Sequence, residues 1–191
     1  MMSRANEIYN FEKDIERELK KIRESNDVNK DSLLRFYTQS VGESLSLARI
    51  RKRLFTARYL SQMLGMKFED AKIEDIQKLS AKIDQKNVSD WTKSDYKKIL
   101  KKFYKWLRNS DEAPPEVKWI KTAESLSNSI MKKDLLTAEE VGKIIENTED
   151  VQDKALFSLL FDSGRRLGEI LGLRIDDVEF DSLGAILRVD G

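Results

Sequence analysis

The residues best suited to act on a charged group lie in the segment GRRLGEI, which begins at Gly164. Its two arginines, Arg165 and Arg166, are adjacent, and Glu169 follows three residues after the second. A guanidinium is rarely left inside a protein unpaired, so adjacent arginines between apolar stretches need an explanation. One arginine held in a cleft could bind a phosphate bidentately, with Glu169 holding its geometry. The same spacing also fits an ordinary arginine–glutamate pair on a helix, which contributes little.

Two other segments carry dense positive charge. The stretch 49–58, RIRKRLFTAR, has five basic residues and no acid, and in a predicted helix over 94–107 lysines recur every four residues. Like charges at this spacing repel, by a few tenths of a kcal/mol per pair. A bound phosphate would relieve that repulsion, whereas a solvated helix face is the alternative explanation. The candidate DNA-binding residues are Arg49, Arg51, Arg53, Arg58, Lys97, Lys98, Lys101 and Lys105, with Lys102 widening the lysine stripe.

The charge of the chain is divided between its two parts. Residues 1–110 hold 25 Lys and Arg against 16 Asp and Glu, whereas residues 111–191 hold 10 against 18. The basic part is therefore the candidate for a polyanionic partner. The sequence of 191 residues has no cysteine and no histidine, which excludes disulfides and cysteine-ligated zinc and removes the commonest general base. Without a signal peptide or a long apolar run, we expect a cytoplasmic protein with no membrane contact.

The elements that would position these residues are mostly helices. Apolar spacing predicts helices over 5–24, from Asp31 to about Gln39, from Ser46 to Leu64, over 73–84 and from Ser94 to Leu107. Pro114-Pro115 indicates a linker. Beyond it, Thr137 and Glu140 form a capping-box pattern, and a helix over 151–162 should bury Ala155, Leu156, Leu159 and Leu160. Alternating apolar residues from Val178 to Val189 then predict a β-hairpin that turns at 181–184.

The run DKALFSLLFDSGRRLGEILGLRIDDVEFDSLGAILRVDG resembles the start of the catalytic domain of tyrosine recombinases, the phage-integrase and Xer family, most closely its archaeal integrases. The matching positions are Ser163, Gly164, Arg166, Glu169, Ile170, Leu173, Arg174, Asp177 and Val178. Upstream, LLTAEEV is similar to the usual opening of that domain. Residues 5–108 resemble the family's helical core-binding domain, including the FYKWL ending of its last helix.

The resemblance implies a mainly α protein with three parts. These are a SAM-like core-binding domain over 1–110, a linker over 111–134 and the first part of an α+β catalytic domain over 135–191. It implies that Arg166 is a catalytic arginine on the scissile phosphate and that Glu169 supports it, whereas Arg165 lies at a variable position. The two domains would clamp double-stranded DNA, in company with other recombinase protomers. The resemblance implies no cofactor, no metal ion and no small-molecule substrate.

The resemblance also shows what is missing before Gly191. The family's strand lysine, its His/Lys-x-x-Arg box and its tyrosine nucleophile lie beyond the hairpin, and all five tyrosines here fall between Tyr9 and Tyr104. We therefore expect DNA binding without cleavage by this chain alone, and exposed apolar surface around Leu171, Ile186 and Leu187 that favours self-association. Two other hypotheses stay open. One is a non-catalytic DNA-binding regulator of recombination, and the other is a helical interaction protein that does not bind nucleic acid.

Overall fold

A computed structural model describes residues 9–122, 135–182 and 184–189 of the chain. The chain divides into two compact units. One unit spans Phe11–Ser127, and the other combines Met1–Asn10 with Asn128–Gly191. The predicted fold class, mainly helical with one β-hairpin, is confirmed. No helix in the described ranges is long and apolar enough to cross a membrane.

The first unit is a helical bundle arranged around its third helix. Its helices are α1 (Phe11–Glu24), α2 (Lys30–Gly42), α3 (Leu47–Leu64), α4 (Ile73–Asp84), α5 (Asp90–Leu107) and the short α6 (Pro115–Lys118). Helix α3 packs against α1, α2, α4 and α5. It ends where predicted, because Gly65 takes a left-handed backbone with φ of 73° and donates its N–H to the Ser61 carbonyl. Helix α4 also has the predicted bounds.

Three predicted helix starts are wrong by a few residues. Helix α1 begins at Phe11, and residues 9 and 10, which the prediction over 5–24 placed in the helix, are not helical, whereas residues 5–8 lie outside the described part of the chain. Helix α2 begins at Lys30 instead of being capped by Asp31, and Asn29 does not cap it with its side chain. That side chain instead donates to Ser61 and to the Met66 carbonyl, and it accepts the Phe68 N–H. Helix α5 begins one turn before Ser94, where the Ser89 hydroxyl accepts the Thr92 N–H.

Aromatic side chains fill the centre of the bundle. The Phe68 and Phe103 ring centroids lie 4.5 Å apart, and those of Phe36 and Phe103 lie 4.9 Å apart. The fully buried Tyr104 donates its hydroxyl to the Phe68 carbonyl at 3.1 Å. Burial raises the pKa of this phenol. Tyr104 is therefore held as a neutral core residue.

The bundle core extends beyond residue 110. Pro115 lies at the first position of α6, where its missing N–H costs nothing. Val117 in this helix and Ile120 just after it are both buried among the core residues of the bundle. The start of the segment expected to be a linker thus packs on α4 and α5.

The second unit contains helices and a short hairpin. Its elements are α7 (Ala138–Asn147), α8 (Val151–Ser163), α9 (Leu167–Leu171), a 3₁₀ turn (Ile175–Asp177), β1 (Val178–Phe180) and β2 (Ala185–Leu187). The capping box is confirmed, because Glu140 accepts the Thr137 N–H at 2.8 Å and Thr137 Oγ1 accepts the Glu140 N–H. The strands are antiparallel, with Val178 opposite Leu187 and Phe180 opposite Ala185.

This second unit buries few apolar side chains. Among its described residues only Val141 and Ile170 are buried hydrophobics. The expectation that α8 buries Ala155, Leu156, Leu159 and Leu160 is wrong, since Ala155 is exposed and the three leucines are half-buried. Leu171 and Ile186 are exposed as expected, whereas Leu187 is half-buried.

Candidate nucleic-acid interface

Four lysines of α5 line one groove on the bundle. Lys98, Lys101, Lys102 and Lys105 border a cavity of about 730 Å³, together with Trp106 and the carboxylates Glu43 and Asp111. From Tyr96 to Arg108 the helix carries no acidic residue. The groove therefore concentrates positive charge in a concave surface, which is the electrostatic requirement for a polyanionic ligand.

The periodicity of α5 explains why these lysines share a side. Leu100, Phe103 and Tyr104 point into the core and are buried. The lysines at 98, 101, 102 and 105 lie three or four residues apart, so they form neighbouring rows on the opposite face. The core thus fixes the lysine backbone positions and leaves the ammonium groups near solvent.

The groove lysines differ in what already holds them. Lys98 Nζ lies 5.3 Å from the ring centroid of the exposed Trp91, a weak cation–π contact. Lys101 Nζ donates to the Ile120 carbonyl at 3.1 Å. Lys102 Nζ lies 3.7 Å from a Glu43 oxygen. Within the described residues Lys105 makes no such contact, so its charge is the least committed of the four.

Lys97, the remaining lysine of the predicted stripe, is held by the fold. Its Nζ contacts both carboxylate oxygens of Asp84 at 2.7 and 2.8 Å. Only 16% of its side chain is exposed. It therefore links α5 to the end of α4 and does not line the groove.

The basic residues of α3 are paired with acids from other parts of the bundle. Arg51 Nε contacts Asp14 at 2.7 Å, and Lys52 contacts Asp95. Arg53 Nη1 contacts Glu43 at 2.7 Å, and Arg58 Nη1 contacts Glu18 at 2.9 Å. The side chain of Arg53 is only 7% exposed. Among the five basic residues of the stretch 49–58, only Arg49 is exposed and lacks such an ion pair in the described part of the chain.

Glu43 connects α3 to the groove, and sequence reasoning missed it. Burial alone would raise the pKa of its carboxyl, but the hydrogen bond and charge of Arg53 and the charge of Lys102 outweigh burial and lower it. Glu43 is thus an anion inside a cationic groove. Its partners are ten and 59 residues away in sequence, so no local pattern could reveal the role.

The GRRLGEI segment forms a separate feature in the second unit. Gly164, with φ of 60°, ends α8, and Arg166 precedes the first residue of α9. Glu169 accepts the Arg166 backbone N–H at 3.0 Å and the Nη1 donor of the same residue at 3.0 Å. These two hydrogen bonds hold the pKa of Glu169 below its usual value. The Arg166 side chain is 89% exposed, so its guanidinium is oriented by Glu169 and accessible to a ligand.

Comparisons with known proteins connect these features to a family. No family model matches the chain, and no solved structure matches it. Tyrosine recombinase XerA of Pyrococcus horikoshii is 30% identical over 161 residues, which cover 84% of this chain and 53% of that protein. Tyrosine recombinase XerC of Chromobacterium violaceum is 25% identical over 141 residues, which cover 69% and 44%.

The chain spans about half the length of these curated relatives. The matched share of this chain is too large to come from the GRRLGEI region alone, so the bundle contributes to the likeness. The resemblance drawn from that segment is confirmed, and the chain belongs to the tyrosine recombinase family.

Proposed function

We propose that this chain binds double-stranded DNA as part of a tyrosine recombinase, with the α5 groove against the phosphate backbone. The observation that carries the proposal is the row of four lysines in one groove, on a helix stretch that has no acid. Homology to tyrosine recombinases supports the same conclusion, since that family name denotes action on DNA. The bundle would then be the SAM-like core-binding domain of the family.

The contacts divide the lysines into those that would bind phosphate and those that support the fold. Lys98, Lys102 and Lys105 have ammonium groups that are exposed or uncommitted to a short hydrogen bond. Lys97 and Lys101 already have short contacts within the bundle. Each phosphate neutralised makes the slope of log affinity against log salt more negative by about 0.9, so three contacts predict a slope of roughly −3.

In the second unit, we assign Arg166 to a phosphate at the cleavage site. Its exposure and the hydrogen bond from its Nη1 to Glu169 support this role, because a preorganised cation stabilises charge that develops on phosphate oxygens. In the complete reaction of such recombinases, strands are cleaved and rejoined through a phosphotyrosine. Arg166 would then be a catalytic residue and Glu169 a positioning residue.

The experiment is duplex binding by fluorescence anisotropy over a salt series. The test variant combines Lys98→Ala, Lys102→Ala and Lys105→Ala. Its matched control combines Lys20→Ala, Lys67→Ala and Lys78→Ala, which removes the same charge from exposed positions outside the groove. We expect the test variant to lose most of the salt slope and the control to keep it. Equal losses in both variants, or weak binding that ignores salt in the wild type, would reject the proposal.

A further inference from the structure

The lysine groove contains two carboxylates with different surroundings. Glu43 approaches it from the end of α2, and Asp111 from the turn that follows α5. Glu43 contacts both Arg53 and Lys102, whereas Asp111 is exposed and has no ion pair in the described residues. A carboxylate opposes phosphate binding by repulsion and by occupying a cation. Glu43 does both, and Asp111 exerts only the repulsion.

Arg53 explains why Glu43 stays in the groove. The guanidinium is buried, and its Nη1 is satisfied by Glu43 at 2.7 Å and by Ser40 Oγ at 3.3 Å. A buried guanidinium without its carboxylate is costly, so Glu43 cannot swing away when a ligand arrives. By contrast, Lys102 Nζ lies 3.7 Å from a Glu43 oxygen, and the lysine side chain is half-exposed. Lys102 can therefore leave Glu43 at little cost in free energy.

We propose that Glu43 competes with a DNA phosphate for Lys102 and thereby limits the affinity of the groove for duplex DNA. The inference rests on the proposed function and adds a regulating residue to it. In the free protein Lys102 is partly neutralised by Glu43. On binding, Lys102 turns to a phosphate, and Glu43 keeps Arg53 as its partner.

The size of the effect follows from the exposure of the pair. A half-exposed ion pair of this separation corresponds to a two- to five-fold change in a binding constant, about that of an ordinary surface pair. Glu43→Gln should therefore tighten duplex binding about two- to five-fold. The salt slope should stay near that of the wild type, because Lys102 contacts a phosphate in the bound state of both proteins.

The control is Asp111→Asn, which removes one negative charge from the same groove, as Glu43→Gln does, but releases no lysine. The specific contact is isolated by a double-mutant cycle with Lys102→Ala. We expect Glu43→Gln to raise the affinity for duplex DNA more than Asp111→Asn does. In the Lys102→Ala background, the two substitutions should raise the affinity equally. Equal gains in Glu43→Gln and Asp111→Asn, or an excess that survives without Lys102, would overturn the inference.

Folding is controlled for by a second variant. Glutamine keeps an acceptor for Arg53, but it removes the charge that a buried guanidinium needs. Replacing both partners, Glu43→Leu with Arg53→Met, removes the buried pair together and should fold, because such exchanges are often neutral or stabilising. This double variant should also bind duplex DNA more tightly than the wild type. An affinity equal to that of the wild type would count against the inference. A wild-type chain with no salt-dependent binding would instead refute the proposed function itself.

Discussion

Arg58→Ala should lower the stability of the bundle and leave its intrinsic DNA affinity unchanged. Arg58 lies in the basic stretch 49–58, where sequence alone favours phosphate binding. In the structure its Nη1 contacts Glu18 at 2.9 Å, with the side chains 23% and 3% exposed, respectively. Removing the arginine leaves a buried carboxylate whose remaining cation is Lys21 at 3.8 Å.

The magnitude follows from that burial. Breaking a buried ion pair costs about 3 to 5 kcal/mol, and the partial exposure of Arg58 and the presence of Lys21 place this case near 2 to 3 kcal/mol. At roughly 4 °C per kcal/mol for a domain of this size, the melting temperature should fall by about 10 °C. The double variant Arg58→Met with Glu18→Leu should recover most of the loss, because no buried charge remains.

The assay is urea and thermal unfolding of the full chain followed by circular dichroism, with DNA binding measured well below the melting temperature. Arg49→Ala is the matched control, because Arg49 is an exposed arginine of the same helix. It should change stability by less than about 0.5 kcal/mol. Wild-type stability in Arg58→Ala, combined with a loss of DNA affinity as large as that of the triple lysine variant, would refute this assignment.

Three further predictions concern other contacts. Tyr104→Phe should destabilise the chain by about 1 kcal/mol in urea unfolding, because the buried Phe68 carbonyl loses its donor, and an unchanged midpoint would contradict this. Because the pKa of Glu43 is lowered in the folded state, its stabilising effect is present above the ordinary value of 4.5 and is lost as pH falls below it. When the pH is lowered from above to below 4.5, the free energy of unfolding should therefore fall less in Glu43→Gln than in the wild type. An equal fall in both proteins would argue against the ion pairs of Glu43. Arg166→Ala should reduce duplex affinity less than the triple lysine variant in anisotropy titrations, because a single exposed cation contributes about one phosphate contact.

The sequence predicts best those features that depend on near neighbours. The capping box at Thr137 and Glu140, the end of α3 at Gly65 and the hairpin after Asp177 all involve residues within one turn or one strand pair. The start of α5 escaped prediction because its first turn carries polar residues and the exposed Trp91, so the apolar period begins only at Tyr96.

The candidate site is predicted less completely, because its electrostatics depends on distant partners. Arg51 and Asp14 are 37 residues apart, and Arg58 and Glu18 are 40 apart. Sequence therefore shows a run of basic residues on α3 but not the acids that neutralise them. The α5 lysines were found because their spacing on one helix is a local property, whereas the role of Glu43 required the tertiary structure.

Lysine footprinting tests most directly whether the α5 groove binds DNA. The chain is acetylated with and without saturating duplex, and modification at each lysine is measured by mass spectrometry. We expect protection of Lys98, Lys102 and Lys105, with no change at Lys20, Lys67 and Lys78 outside the groove. Equal modification of the groove lysines in both samples, or protection confined to the lysines outside it, would contradict the assignment of this groove to DNA.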